Sequence, residues 1–309
     1  MEVTKKTMQI AMIGLGKMGA NMTVRLLNDG HNVVAFDLND DAVRKAEAAG
    51  AVGARTLDEV VAKMKAPRVV WVMVPAGKAT ESTVQALADR LSPGDLIIDG
   101  GNSNFKGTME LGASVEARGL HFVDVGTSGG VWGLKEGYSM MVGGSDAAVA
   151  LLRPALETLA PASDKGWGHV GPIGSGHFVK MVHNGIEYGM MAAFAEGFAL
   201  MRKRSDYGLD LAQIAEIWRH GSVVRSWLLD LTAEALAENP EMDDIAPYVT
   251  DSGEGRWTVF EAIDQNLSTP IITLSLLQRL RSREEEGYTE KLLSAMRNKF
   301  GGHSIKKTV

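Results

Sequence analysis

The chain has 309 residues, 45% of them hydrophobic and 23% charged, enough for one large or two ordinary globular domains with a sizeable core. A formal net charge of −6 argues against a nucleic-acid or anionic-membrane surface but leaves room for a local basic pocket. The absence of cysteine excludes disulfides, thiolate catalysis and cysteine-ligated metals, and it fits a reducing compartment.

Lys5 and Lys6 precede a short apolar run that enters a glycine turn, which reads as a first strand and not as a signal peptide. No segment offers about 18 uncharged apolar residues, so the expected location is the cytoplasm. Residues 1–171 alternate short apolar runs with helical patterns. Strands are predicted over 8–13, 32–36, 69–74, 96–98, 121–125 and 139–142. Helices are predicted over 20–28, 40–49, 57–62, 80–91 and 108–118. Alternation of this kind predicts a mostly parallel sheet with helices on both faces, an α/β Rossmann domain.

The first strand runs into Gly14-Leu15-Gly16-Lys17-Met18-Gly19, a G-x-G-x-x-G in its required context between strand and helix. Gly14 permits the turn, Gly16 admits a pyrophosphate to the backbone, and Gly19 lets the helix pack on the sheet. The helix N-terminus favours the anion. Asp37 follows 18 residues after Gly19, where a carboxylate accepts both ribose hydroxyls of NAD and repels the extra phosphate of NADP. Leu38-Asn39-Asp40-Asp41 offers no compensating arginine, so NAD is preferred over NADP. Val74-Pro75 closes another strand at the same sheet edge, where ligands of open α/β sheets bind. The loops holding Asn102 and Ser128 follow later strands at that edge. Both residues are candidate contacts to substrate or nicotinamide, although each taken alone is more often a turn residue.

After residue 172 helical periodicity takes over, with helices predicted over 176–204, 211–220, 224–238, 256–266, 271–285 and 289–299. Residues 172–309 therefore read as an all-α domain for substrate binding and oligomerisation. Within the first of these helices, Lys180, His183, Asn184 and Glu187 fall at i, i+3, i+4 and i+7. On an α-helix they lie near about 0°, 300°, 40° and 340°, on one face. A polar stripe in an otherwise apolar helix costs free energy unless it is paired or used. The bland reading is a buried Lys–Glu pair, and the functional one is a base and an acid on one rigid surface.

These motifs together resemble the 6-phosphogluconate dehydrogenase family, in a short form with one helical domain. The resemblance runs nearly end to end. It rests on Gly14–Gly19, Gly101-Asn102-Ser103, Thr127-Ser128-Gly129-Gly130, Gly176–Tyr188, Asp251-Ser252-Gly253-Glu254-Gly255-Arg256-Trp257-Thr258 and Arg297-Asn298-Lys299-Phe300-Gly301-Gly302-His303. It implies oxidative decarboxylation of 6-phospho-D-gluconate to ribulose 5-phosphate and carbon dioxide without a metal. Lys180 becomes the general base and Glu187 the general acid. Asn102, Ser128, Gly129, Gly130, His183 and Asn184 match positions contacting the sugar acid. Tyr188, Arg256 and Arg279 match positions holding the phosphate, completed by Arg297 and His303. Arg281 and Arg283 lie close enough in sequence to compete with Arg279. The family's C-terminal segment enters a neighbouring subunit's active site, which implies a homo-oligomer here, either dimer or tetramer. Two departures stand out: the second helical half of the long form is missing, and Asp37 replaces the neutral residue followed by arginine of NADP-using members. The competing readings are a 3-hydroxyisobutyrate or tartronate-semialdehyde type of β-hydroxyacid dehydrogenase, and a non-catalytic NAD sensor on the same fold.

Overall fold

The computed structural model describes residues 6–307, apart from the side chain of Phe300; Lys5 and that phenylalanine ring lie outside the described residues. The chain divides into two compact units, residues 1–184 and 185–309.

The first unit holds eight strands: β1 (Gln9–Ile13), β2 (Asn32–Phe36), β3 (Val52–Ala54), β4 (Val69–Val72), β5 (Leu96–Asp99), β6 (His121–Ser128), β7 (Ser139–Gly144) and β8 (Trp167–Gly171). Its helices are α1 (Lys17–Asn28), α2 (Asp40–Ala48), α3 (Leu57–Ala62), α4 (Lys78–Ala88), α5 (Phe105–Glu116), α6 (Gly133–Glu136) and α7 (Asp146–Leu159). The strands form one sheet in the order β3-β2-β1-β4-β5-β6-β7-β8, parallel except for the antiparallel pair β6–β7. Central strands such as VVWV and LIID are buried throughout because both faces are covered. Alternate residues of one strand therefore enter opposite cores. Ile10, Met12, Trp71 and Ile98 join one cluster, and Ala11, Ile13, Val70, Val72 and Ile97 join the other. The strand order reverses between β1 and β4, so a crevice opens outside their carboxyl ends.

Four helices and strands of this unit escape sequence periodicity, among them α6, a single turn of four residues. β3 has three residues with a glycine in the middle, and β8 is a half-polar edge strand. α7 contains Pro154, a residue that normally argues against a helix interior. β2 ends at Phe36, so Asp37 stands just beyond the strand and not within it.

α8 (Ser175–Lys203) is one continuous helix whose first part belongs to the first unit and whose remainder belongs to the second. The second unit continues with α9 (Leu211–Arg219), α10 (Trp227–Glu238), α11 (Glu254–Asp264), α12 (Pro270–Arg281) and α13 (Tyr288–Gly301). Asp210 and Ser226 cap α9 and α10 with side-chain oxygens. The core of this unit is small: Phe198, Ala215, Leu229, Ala233 and Leu236, with the Phe198 and Trp218 rings 5.5 Å apart. Phe260, Ile263, Ile271, Leu274 and Leu277 on α11 and α12 remain exposed. No helix among the described residues is long and apolar enough to cross a membrane.

Candidate active site

The glycine-rich turn sits at the reversal point of the sheet. Gly14 takes φ +94°, a backbone state open to glycine, and its amide donates to the Phe36 carbonyl at 2.8 Å. A Cβ on Gly14 would fall 2.6 Å from the Met73 carbonyl oxygen, just before Val74 and Pro75. A Cβ on Gly19 would clash with the Gly14 carbonyl, which explains how closely α1 approaches the turn. A Cβ on Gly16 meets nothing within 4 Å, so that glycine faces open space. α2, α3, α5 and α7 each begin with a capping side chain, whereas α1 begins at Gly16 with none. Amides at an uncapped helix start, behind a glycine with room in front, suit a phosphate anion. Leu15, Lys17 and Met18 complete this turn. The Asp37 carboxylate is aimed at it: Oδ2 accepts from the Leu15 amide at 2.6 Å and Oδ1 from the Asn39 amide at 2.7 Å. Arg44 pairs with Asp40 and Asp41, and Arg55 pairs with Asp40 and Glu47.

Further along the same edge, Asn102 adopts φ +53°. Its amide clasps β6, donating to the Thr127 carbonyl at 3.1 Å and accepting from the Thr127 amide at 2.8 Å. The loop after β5 is thereby tied to the strand ending at Ser128, with Gly129 and Gly130 following. α8 packs against this same strand through glycines. A Cβ on Gly126 would lie 2.5 Å from the Gly176 carbonyl oxygen, and also against the Lys180 Cβ. A Cβ on Gly176 would lie 2.5 Å from the Met141 carbonyl oxygen. Asp124, fully buried, caps the helix, accepting from the Gly174 amide at 2.7 Å and the His177 amide at 2.8 Å. Lys180 is 5% exposed, and its Nζ donates to Asn184 Oδ1 at 2.6 Å. His183 Nδ1 stands 3.5 Å from the Lys180 nitrogen and 3.0 Å from the same Asn184 oxygen. Lys180, His183 and Asn184 therefore form one polar knot; Glu187 lies further along the same helix, within the second unit.

In the second unit, α8, α11 and α12 build a basic cluster. Tyr188 is buried, and its hydroxyl accepts from the Ser252 amide at 3.4 Å. Gly255 is what admits the ring, since a Cβ there would clash with it. The Arg279 guanidinium stacks on the Tyr188 ring, 3.4 Å from its centroid. Asp251 accepts from Arg256 Nε at 3.0 Å and Nη2 at 3.2 Å, and from Arg283 at 2.5 Å. Those two guanidiniums, Arg256 first, hold the Asp251 carboxyl below the usual aspartate range. Arg281 turns away to Glu284 and Glu290. Arg297 is exposed on α13, and His303 lies just past that helix, where its backbone carbonyl accepts from Asn298 Nδ2 at 2.9 Å.

The residues that the motif reading gave no role are mostly anchors: Gly126, Asp124 and His177 in the first unit, Asp251 in the second. Only Asp251 carried a signal, five residues before Arg256 in the glycine-rich turn. No cluster of three or more histidine, aspartate or glutamate side chains able to hold a metal occurs among the described residues.

A doubly wound sheet with an uncapped glycine turn, a buried lysine on the following long helix and a helical second unit define a nicotinamide-dependent dehydrogenase fold. Two family models extend this: the NAD binding domain of 6-phosphogluconate dehydrogenase matches residues 9–171, and the 6-phosphogluconate dehydrogenase C-terminal domain matches residues 176–307. The chain belongs to the 6-phosphogluconate dehydrogenase family. The NAD(+)-dependent, decarboxylating 6-phosphogluconate dehydrogenase of Haloferax volcanii is 42% identical over 299 residues, covering 96% of this chain and 98% of that protein. The Plasmodium falciparum 6-phosphogluconate dehydrogenase structure, described with its cofactor NADP+ and its substrate 6-phosphogluconate, superimposes with a TM-score of 0.82 at 27% identity. That match covers 97% of this chain but 66% of the longer Plasmodium chain. A 3-hydroxyisobutyrate dehydrogenase from Mycobacterium tuberculosis gives a TM-score of 0.71 at 25% identity, over 87% of this chain and 91% of that one.

Proposed function

We propose that the protein oxidatively decarboxylates 6-phospho-D-gluconate to D-ribulose 5-phosphate and carbon dioxide, with NAD preferred over NADP. The observation carrying this reading is the buried Lys180, held by Asn184 beside His183 on a helix that continues to Glu187 and Tyr188. The nicotinamide, when bound, supplies the hydride acceptor. Lys180, as the free amine, takes the proton of the carbon 3 hydroxyl as hydride leaves that carbon. The lysine, now protonated, donates to the new ketone oxygen while the bond to the carboxylate breaks and releases carbon dioxide. Glu187 then delivers a proton to carbon 1 of the resulting enediol while Lys180, again the free amine, takes the carbon 2 hydroxyl proton, which restores the ketone. The two groups start about 10 Å apart along the helix axis, a span that flexible side chains close across a short carbon chain.

Asn102, Ser128, Gly129, Gly130, His183 and Asn184 are proposed to hold the sugar acid. Tyr188, Arg256 and Arg279 are proposed for the phosphate, since arginine's fork suits a phosphate dianion. The NAD preference is supported by Asp37 facing the glycine turn, by the exposed Leu38 next to it, and by Arg44 and Arg55 being ion-paired. A homo-oligomer, with Arg297 and His303 completing a neighbour's pocket, is supported by the apolar surface left on α11 and α12. The cytoplasm is the proposed location.

The test is reduced-cofactor formation from 6-phosphogluconate with NAD and NADP in parallel, alongside a Lys180→Met variant. Turnover favouring NAD and lowered on the order of a hundredfold or more in the variant is expected. Turnover with unphosphorylated 3-hydroxy acids alone would replace this reading with the 3-hydroxyisobutyrate type. Cofactor binding without turnover would replace it with a sensor.

A further inference from the structure

His177 lies one helical turn before Lys180, with its side chain fully buried. Its Nδ1 is 2.8 Å from Thr108 Oγ1. The Thr108 hydroxyl donates to the Asn104 carbonyl at 3.2 Å, so the oxygen presents a lone pair to the ring and Nδ1 carries the hydrogen. That same nitrogen stands 3.9 Å from Asp99 Oδ2. The other Asp99 oxygen accepts from the Gly101 amide at 2.9 Å, fixing the turn that aims Asn102 at Thr127. The imidazole thus joins three pieces: the helix carrying Lys180, the start of α5, and the loop carrying Asn102. Its Nε2 has no hydrogen-bond partner among the described residues. All of the ring's directional bonding therefore passes through the Nδ1 edge.

We propose that His177 is a positioning residue: its Nδ1–H bond to Thr108 sets where the Lys180 amine stands relative to the loop of Asn102. This rests on the reading of Lys180 as base. Any side chain that only fills the space would hold α8 against the sheet through Asp124 and the glycine contacts, but it would leave the helix free to rock about them. A donor at the Nδ1 position is what removes that freedom.

The test compares His177→Ala, His177→Gln and His177→Asn in the full chain. Asparagine places an N–H where Nδ1 stands, whereas glutamine places its amide near Nε2. Steady-state kinetics with 6-phosphogluconate and NAD, melting temperature, and the rate of Lys180 labelling by a lysine-directed acylating reagent, read by peptide mass spectrometry, are measured for each. The alanine and glutamine variants are expected to lose about ten- to a hundredfold in kcat with the KM for NAD unchanged. The asparagine variant should stay within about threefold of the parent. Lys180 labelling should change in the first two and return to the parent rate in the third. Equal kcat and labelling in all variants, or losses that follow melting temperature alone without rescue by asparagine, overturn the proposal. A parent chain that does not turn over 6-phosphogluconate overturns the proposed reaction instead, and the labelling rates still decide the role of His177.

Discussion

Gly126→Ala tests whether close packing of α8 places the lysine. The added methyl would stand 2.5 Å from the Gly176 carbonyl oxygen and also against the Lys180 Cβ. The oxygen belongs to a first turn held by two hydrogen bonds to the buried Asp124 carboxylate, 2.7 and 2.8 Å long, so it cannot swing aside like a side chain. Reaching ordinary contact requires the helix to back away by roughly 1 Å. Overpacking of this kind costs about 1–3 kcal/mol. For a domain of this size that corresponds to a fall in melting temperature of roughly 2–12 °C. The proposed base moves with the helix, and a displacement near 1 Å costs on the order of a hundredfold in rate. The glycine turn after β1 is untouched, so NAD affinity should hold. Melting temperature, kcat with 6-phosphogluconate and the Kd for NAD separate these effects. A variant with the parent melting temperature and a kcat within about twofold of it would refute the packing argument. A lower melting temperature with unchanged kcat would show that α8 yields without carrying Lys180.

Gly16→Ala should leave melting temperature unchanged, because its Cβ meets nothing within 4 Å, yet weaken NAD on the order of tenfold by blocking the pyrophosphate, as read by titration calorimetry. Asp37→Ser combined with Leu38→Arg should move preference towards NADP, measured as the ratio of kcat/KM for the two cofactors; an unchanged ratio would remove Asp37 from the selectivity argument. Asp251→Asn should raise the KM for 6-phosphogluconate on the order of tenfold by releasing Arg256 and Arg283 from their fixed orientation. The same variant should show a pH signature. The Asp251 carboxyl is held below the ordinary aspartate value, so its contribution to stability is complete above about pH 4 and is lost as pH falls through the depressed value. Urea midpoints of parent and variant should therefore differ at neutral pH and converge in acid. A difference that stays constant down to acid unfolding would show that the ion pairs contribute nothing to folding.

Most of the architecture was legible in the chain because its signals are local. A strand such as VVWV needs burial on both faces whatever surrounds it, and β2 and α3 fall on their predicted residues. The Gly14–Gly19 turn and the Lys180–Glu187 face follow from helix and turn geometry within a few residues, and one unbroken helix from Ser175 to Lys203 carries the latter. The family resemblance extended that reading to residues far apart in sequence.

What the tertiary structure alone decided is how those residues are held, because the holding groups come from elements distant in sequence. Asp99 stands just past one predicted strand and Asp124 inside another, with nothing in the chain to mark their roles, yet both are fully buried, one fixing the Asn102 loop and the other capping α8. Gly126 sits within β6 just before the Thr127-Ser128-Gly129-Gly130 motif, and only the arrival of α8 shows why a side chain there is excluded. Three arginines close together on and just after α12 are equivalent in sequence, but folding sends Arg279 to the Tyr188 ring, Arg283 to Asp251 and Arg281 to Glu284 and Glu290. Local periodicity specifies which face a residue lies on, whereas contacts between elements determine which partner meets it there.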